Sequence, residues 1–475
     1  MRRIACFILS LALAVACDGP AEHHIICGDA PIYPDYIDVT VPYNIAPLNF
    51  DYRIPADDAV TVFSCGDMSV SFKGPRVRWN ERKWHRLLAV AKGGDVKVQS
   101  TAMDSTWAIH VSDDAIDYGI DYRLIEPGYE VYSKMGIYER ELGSFRQRAL
   151  IENTDFSGCV NCHAYNRCSP EDFSLHIRGD HGATLLRLDG NLDAYNTKTD
   201  STLGFCVYPY WHPSGDFIAY STNSTRQLFH VHPEKLIEVF DMDSDLLVYD
   251  IRNNRLSKLF KDSTKEFWET FPSFSPDGKT IYFCAAGPKT IPDSLSAVRY
   301  NLYRAGFDPI TGKVTGSPEL MVDAASEGKS ISFPRPSFDG RFLMYTLSDY
   351  GQFSIWHHES DLWLIDLRYG TDRPLCEANS PDTESYHDWS SSSRWFVFSS
   401  RRDDGLFTRP YFSHIDEDGN VGKAFMLPQR EPSEYYEDLY LSYNVPEFVT
   451  GPVKYSHRKA SRLINSTRRV QFDFE

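Results

Sequence analysis

The chemistry-bearing residues of this 475-residue chain concentrate in one pentapeptide, Cys159-Val160-Asn161-Cys162-His163. C-x-x-C-H is the spacing at which two thiols reach the two vinyl groups of one porphyrin while the adjacent imidazole meets the iron. It predicts one covalently attached haem c, with Cys159 and Cys162 as thioethers and His163 as the proximal iron ligand. A sixth ligand would come from nearby: His176 (the first choice) or His181 in FSLHIRGDHGATLL, or Met135 in YSKMGIYERE. A His there would set a lower reduction potential than a Met. The same residues admit blander readings. Cys159 and Cys162 could form a local disulfide or stay free thiols. Cys159, Cys162, Cys168 and His176 have the order and number for a structural zinc site. A single C-x-x-C-H excludes a multihaem wire within the chain.

Other chemistry is sparse. Asp241, Asp243 and Asp245 start like a calcium loop, but Leu246 and Arg252 stand where Gly and Glu are needed. There is no G-x-S-x-G elbow, no Gly-rich phosphate loop and no H-E-x-x-H helix. No catalytic residue can be assigned, which favours a non-enzyme. Cys27 and Cys65 are open to pairing or to remaining free thiols.

The N-terminus, MRRIACFILSLALAVACDGP, has two arginines and then an apolar run too short to span a membrane. Ala14-Val15-Ala16-Cys17 resembles a bacterial lipobox. By that resemblance residues 1–16 are a signal peptide, and Cys17 is diacylated as the mature N-terminus. Two acyl chains hold a protein stably on a membrane surface. The expected location is the cell envelope, on a periplasmic or cell-surface face, where disulfides and covalent haem both form.

The bulk composition agrees with a folded exported protein. A formal net charge of −17 makes nucleic acid a poor partner. Aromatic residues at 14%, with 29 Gly and 27 Pro, favour β-rich architecture. Short strand-like runs such as YIDVTV, VTVFSC, MSVSFK, LLAVAK, DVKVQS and TWAIHVS predict a β-sandwich of immunoglobulin-like type over residues 28–150.

The C-terminal half repeats. PYWHPSGD, FPSFSPDGK, PSFDGR and the degenerate DWSSSSR place Gly215, Gly278, Gly340 and Ser393 in one turn position, 63, 62 and 53 residues apart. Each turn precedes an aromatic strand: FIAYST, TIYFCAA, FLMYTLS and WFVFSS. Strand–turn–strand units in series are β-propeller blades, which bury their faces only against neighbours in a ring. FPSFSPDGKTIYF resembles the repeat of TolB-like propellers, a likeness covering about residues 183–450. It implies six blades where four repeats are visible, with residues 183–205 and SYNVPEFV available to complete the ring. Residues 151–182 then form a separate C-x-x-C-H segment, and residues 451–475 a basic solvated tail.

The whole layout, through PDYIDVTVPYNIAPLNF, YSKMGIYERELGSF, ENTDFSGCVNCHAYN, LHIRGDHGATLL and SSRRDDGLFTRPYF, resembles an exported lipoprotein family of Bacteroidetes. Two functions follow. One is electron transfer or redox sensing through one haem, with other membrane-bound redox proteins as partners. The other is a non-enzymatic propeller scaffold for an envelope protein, peptide or glycan, in which the Cys pair is structural, as a disulfide or a zinc site.

Overall fold

The computed structural model describes residues 30–103, 105–127, 133–156, 158–229, 237–260, 266–291, 294–454 and 456–474. The fold is all-β, and six of its sheets form a ring. Blade 2 is built from Cys159–Asn166, Ser169–Arg178, Ala183–Leu188 and Asn191–Asn196. Blade 3 has Cys206–Trp211, Phe217–Phe229, Ile237–Asp250 and Arg255–Lys258. Blade 4 has Trp268–Phe274, Thr280–Ala286, Asn301–Asp308 and Lys313–Val322. Blade 5 has Ser330–Pro336, Phe342–Ser348, Asp361–Asp366 and Thr371–Pro374. Blade 6 has Glu384–Trp389, Trp395–Ser400, Arg409–His414 and Phe425–Met426. Each blade begins with its innermost strand.

Blade 1 joins the two ends of the ring. Its outer three strands, Gly119–Ile125, Gly136–Glu141 and Gln147–Glu152, precede blade 2 in the chain. Its innermost strand is Ser442–Val449, which pairs antiparallel with Gly119–Ile125. Neighbouring innermost strands touch all the way round, including Ser442–Val449 against Cys159–Asn166. SYNVPEFV and residues 183–205 thus supply strands as expected, and the blade count is six.

The turns explain which blades the sequence displays. Gly215, Gly278, Gly340 and Ser393 all have positive φ, between 60° and 78°. In each turn that residue donates its N–H to the carbonyl three residues earlier, at His212, Ser275, Ser337 and Ser390. This is the left-handed position a tight hairpin needs. Blade 2 turns instead through Arg167 and Cys168, at φ 50° and 59°. Blade 1 has no such turn, because its two inner strands lie at opposite ends of the chain. The sheets therefore divide the chain differently from the expected boundaries at 150 and 183. Residues 119–152 supply the outer three strands of blade 1, and the C-x-x-C-H segment is the inner strand of blade 2.

The region before the ring holds a five-stranded and a three-stranded sheet, with a parallel pair, Val39–Pro42 beside Ser105–Ser112. LLAVAK, read as a strand, lies largely within a helix, Glu81–Ala91. The side chain of Asn80 caps its N-terminus by accepting the N–H of Lys83. Trp84, Leu87, Leu88 and Ala91 form the buried stripe, a 3.6-residue period that outweighs the local apolar run. This region packs against blades 5 and 6 in one shared core containing Trp84, Phe63, Trp389, Phe396 and Phe412.

The C-terminal stretch is also ordered rather than a solvated tail. Its helix His457–Ile464 buries Ala460 and Ile464 in the apolar cluster of blades 1 and 2. Val470–Gln471 and Asp473–Phe474 then extend the outer edges of blades 2 and 3 in parallel.

Candidate functional site

The innermost strands share one irregularity. In each, a non-glycine residue takes positive φ at a β-bulge: Cys162, Tyr208, Phe271, Phe333, Tyr386 and Val445, all between 45° and 54°. This region is sterically costly for side chains with a Cβ, about 1–2 kcal/mol each, so only a packed ring sustains six of them. The next residue is Pro209, Pro272, Pro334 or Pro446 in four blades, and His163 or His387 in the other two. One position further stand Ala164, Tyr210, Ser273, Arg335, Asp388 and Glu447. Cys162 and His163 are thus one sixth of a repeated wall around the central channel.

The two histidines occupy the same seat. His163 Nε2 lies 3.4 Å from the carbonyl of Asp121, in the second strand of blade 1. His387 Nε2 lies 3.1 Å from the carbonyl of Met344, in the second strand of blade 5. Asp121 pairs with Glu447, and Met344 pairs with Arg335, so the two carbonyls are register equivalents. Both rings are buried. Burial lowers the pKa of His163 to about 4 and that of His387 to about 3, so both are neutral at pH 7.

A covalent haem needs both thiols and the imidazole on one porphyrin. Cys162 lines the channel, whereas Cys159 packs against the cluster between blades 1 and 2. Iron and a porphyrin plane do not enter the 3.4 Å gap between His163 Nε2 and Asp121. As folded, the three residues do not fit a covalently bound haem. The expected sixth ligands are also engaged elsewhere. His176 Nδ1 is 3.1 Å from Thr184 Oγ1 and its ring packs on Phe205. Met135 is buried in the blade 1–2 cluster. His181 is half-buried in the turn before Ala183–Leu188, and its carbonyl accepts from Arg469.

The zinc set is likewise dispersed, for Cys168 Sγ points at the Trp389 carbonyl. Among the described residues no three His, Cys, Asp or Glu side chains are placed to hold a metal ion. Cys65, Cys159, Cys162 and Cys168 are free thiols, Cys27 and Cys17 lie outside the described residues, and Asp241 serves a hydrogen-bonded cluster with Asn223 and Thr225.

What the structure does assemble is a two-part channel. The upper cavity, about 60 Å³, is walled by the six kink residues with Arg123, Asn161, His163, Arg335 and Phe353. The lower cavity, about 40 Å³, is walled by Tyr165, Tyr210, Trp211, Arg335, Asp388 and Glu447 among others. Arg335 belongs to both. Burial raises the pKa of Asp388 to about 6 and pushes Glu447 well above the usual range, while the charge of Arg335 opposes the rise at both.

A strap closes the upper mouth. Residues 349–360 leave blade 5, and their Phe353 enters the cavity wall. Gln352 accepts from Tyr300 of blade 4 at 3.0 Å. Tyr350 donates to Glu238 of blade 3. His357 Nε2 lies 3.4 Å from Glu238 and its Nδ1 3.1 Å from Glu359. The strap thereby reaches blade 3, two blades away.

Burial alone would lower the His357 pKa, but the bonds to Glu238 and Glu359 outweigh it and raise it. A raised folded pKa means stabilisation is full below the unfolded value of about 6.5 and is lost as pH rises through the folded one. Strap amide protection, corrected for intrinsic exchange, is expected to fall severalfold across that rise. His357→Gln should flatten the profile. An unchanged profile in that variant would remove His357 from the latch.

Three residues of the channel and its strap escaped the sequence reading: Arg335, Phe353 and His387. For His387 a signal existed, since Pro209, Pro272, Pro334 and His387 each stand six residues before the turn residue. No family model matches this chain, and no curated protein matches it. Solved structures are similar to it. TolB from Acinetobacter baumannii is 12% identical, over 74% of this chain and 78% of that one, with a TM-score of 0.43. An Agrobacterium tumefaciens protein assigned to TolB is 15% identical, over 70% and 98%, at 0.38. A variant of the apocarotenoid oxygenase of Synechocystis is 12% identical, over 86% and 94%, also at 0.38. The ring is established by the chain's own six sheets.

Proposed function

We propose that this protein is an exported, lipid-anchored β-propeller scaffold that receives a ligand or partner in its central channel, with Asn161, Cys162 and His163 as part of the channel wall. The observation that carries this reading is the equivalence of His163 and His387. One lies in a C-x-x-C-H motif and the other does not, yet both make the same bond to the preceding blade. The strap over an aromatic collar supports the channel as the site: ligand pockets are concave, mostly apolar and furnished with few polar groups. Export and the anchor at Cys17 rest on the N-terminal sequence. Among the described residues no helix is long and apolar enough to cross a membrane.

A photoreactive residue at Phe353, in protein made by its native host, tests the site. The expected result is a defined adduct from position 353 and none from Leu320, exposed on the outermost strand of blade 4. Adducts from Leu320 alone would place recognition on the outer rim and contradict the channel reading.

A further inference from the structure

The two halves of the channel differ in charge. The upper cavity wall contains two guanidinium groups, Arg123 and Arg335, and no carboxylate. Below Arg335, the ring layer it belongs to turns acidic at Asp388 and Glu447, which face the lower cavity. Arg335 is half-buried, and its guanidinium lies 5.0 Å over the ring of Tyr210. Its guanidinium makes no hydrogen bond or close ion pair among the described residues, although its charge opposes the raised pKa values of Asp388 and Glu447 on the lower side; the buried guanidinium of Arg409, by contrast, donates to the carbonyls of Leu441, Tyr436 and Leu439. Arg123 donates to the Val160 carbonyl at 3.5 Å, a long contact. Around these cations stand Tyr208, Phe271, Phe333, Tyr386 and, from the strap, Phe353.

We infer that the upper cavity is a site for an organic carboxylate, its charged end on Arg335 and its apolar body against the aromatic collar. The inference rests on the channel being the binding site. A half-buried guanidinium whose N–H groups have no hydrogen-bond partner in an aromatic-walled cavity is a strong partner for a carboxylate, which it can grip with two parallel N–H···O bonds. A charge-matched group also enters an aromatic pocket without leaving a buried donor unpaired. The cavity of about 60 Å³ accommodates the carboxylate end beneath the closed strap. A larger body must displace Phe353, so binding and strap position are coupled. The carboxylate could belong to a free small acid or to the C-terminus of a peptide, since the chemistry is shared.

Calorimetric titration of the full chain with benzoate and with benzamide, its neutral counterpart, tests the charge. Acetyl-Gly-Gly-Phe as acid and as amide tests the source. The expected result is that the acid of at least one pair binds about tenfold more tightly than its amide, the size of a charge-assisted bond. Which pair shows it identifies the source. Arg335→Met should erase the preference, and Arg335→Lys should retain part of it. The acid–amide comparison in the unaltered protein stands even if Arg335→Met does not fold. Equal binding of acid and amide with a change in strap protection would overturn the carboxylate assignment and leave the channel reading intact. Absence of binding by all four probes, or a preference that survives in Arg335→Met, would overturn the assignment too. The channel reading is judged separately by crosslinking at position 353.

Discussion

A chain ending at Leu441 is expected to lose its cooperative unfolding transition, whereas one ending at Thr450 keeps it. The difference is the strand Ser442–Val449, the innermost strand of blade 1, in which all residues but Val445 are buried. Tyr443, Phe448 and Val449 alone remove about 1.5–3 kcal/mol each of apolar surface from water. Asn444 and Glu447 pair with Arg123 and Asp121, so the strand also satisfies the backbone of Gly119–Ile125. Together these terms approach the whole net stability of a domain, about 5–15 kcal/mol. Without the strand the blade has an open inner edge, a template for association. Denaturant unfolding followed by tryptophan fluorescence reads the outcome. A sharp transition in the shorter chain would mean that the ring does not depend on this closure.

Gly278→Val is expected to destabilise the ring by about 2–5 kcal/mol, and Gly340→Val by only about 1–2 kcal/mol, although both residues serve the same turn. Both have φ near 70°, so both variants incur the left-handed cost. They differ in their surroundings. A Cβ on Gly278 would lie 2.3 Å from His212 Nε2 and 2.6 Å from Cε1. That same nitrogen is 3.0 Å from the Gly278 carbonyl, and the ring packs on Phe217, Phe274 and Phe307. The imidazole is buried and hydrogen-bonded on both nitrogens, so it moves only by giving up these contacts. A Cβ on Gly340 would meet nothing closer than Pro276 Cγ at 3.8 Å. Equal losses in the two variants would show that turn strain alone decides the cost.

These two positions also show what the sequence makes legible. Turn residues advertise themselves, because few side chains take φ > 0. Four blades were therefore visible from Gly215, Gly278, Gly340 and Ser393. Blades 1 and 2 were hidden for topological reasons: one is assembled from both ends of the ring, and the other turns at Arg167 and Cys168. The helix Glu81–Ala91 was missed because LLAV is apolar in either state, while the evidence for helix lay earlier, at Asn80 and Trp84. The C-x-x-C-H motif was legible as a pattern, but its meaning depended on register. Only alignment of the inner strands shows that His163 and His387 are the same residue of a repeat. The strap contacts were beyond sequence reading, since Glu238 and His357 are 119 residues apart.

In the proposed scaffold Cys162 and His163 are channel wall and Cys159 is packing between blades 1 and 2, and none of the three attaches haem. The most direct test is the absorbance spectrum and intact mass of protein matured in its native host. No Soret band and no haem staining in a denaturing gel are expected. The expected mass is that of the chain from Cys17 with its lipid, with nothing at Cys159 or Cys162 beyond what reduction removes. A Soret band with a mass increased by one porphyrin, lost when either Cys159 or Cys162 is replaced by Ala, would contradict it.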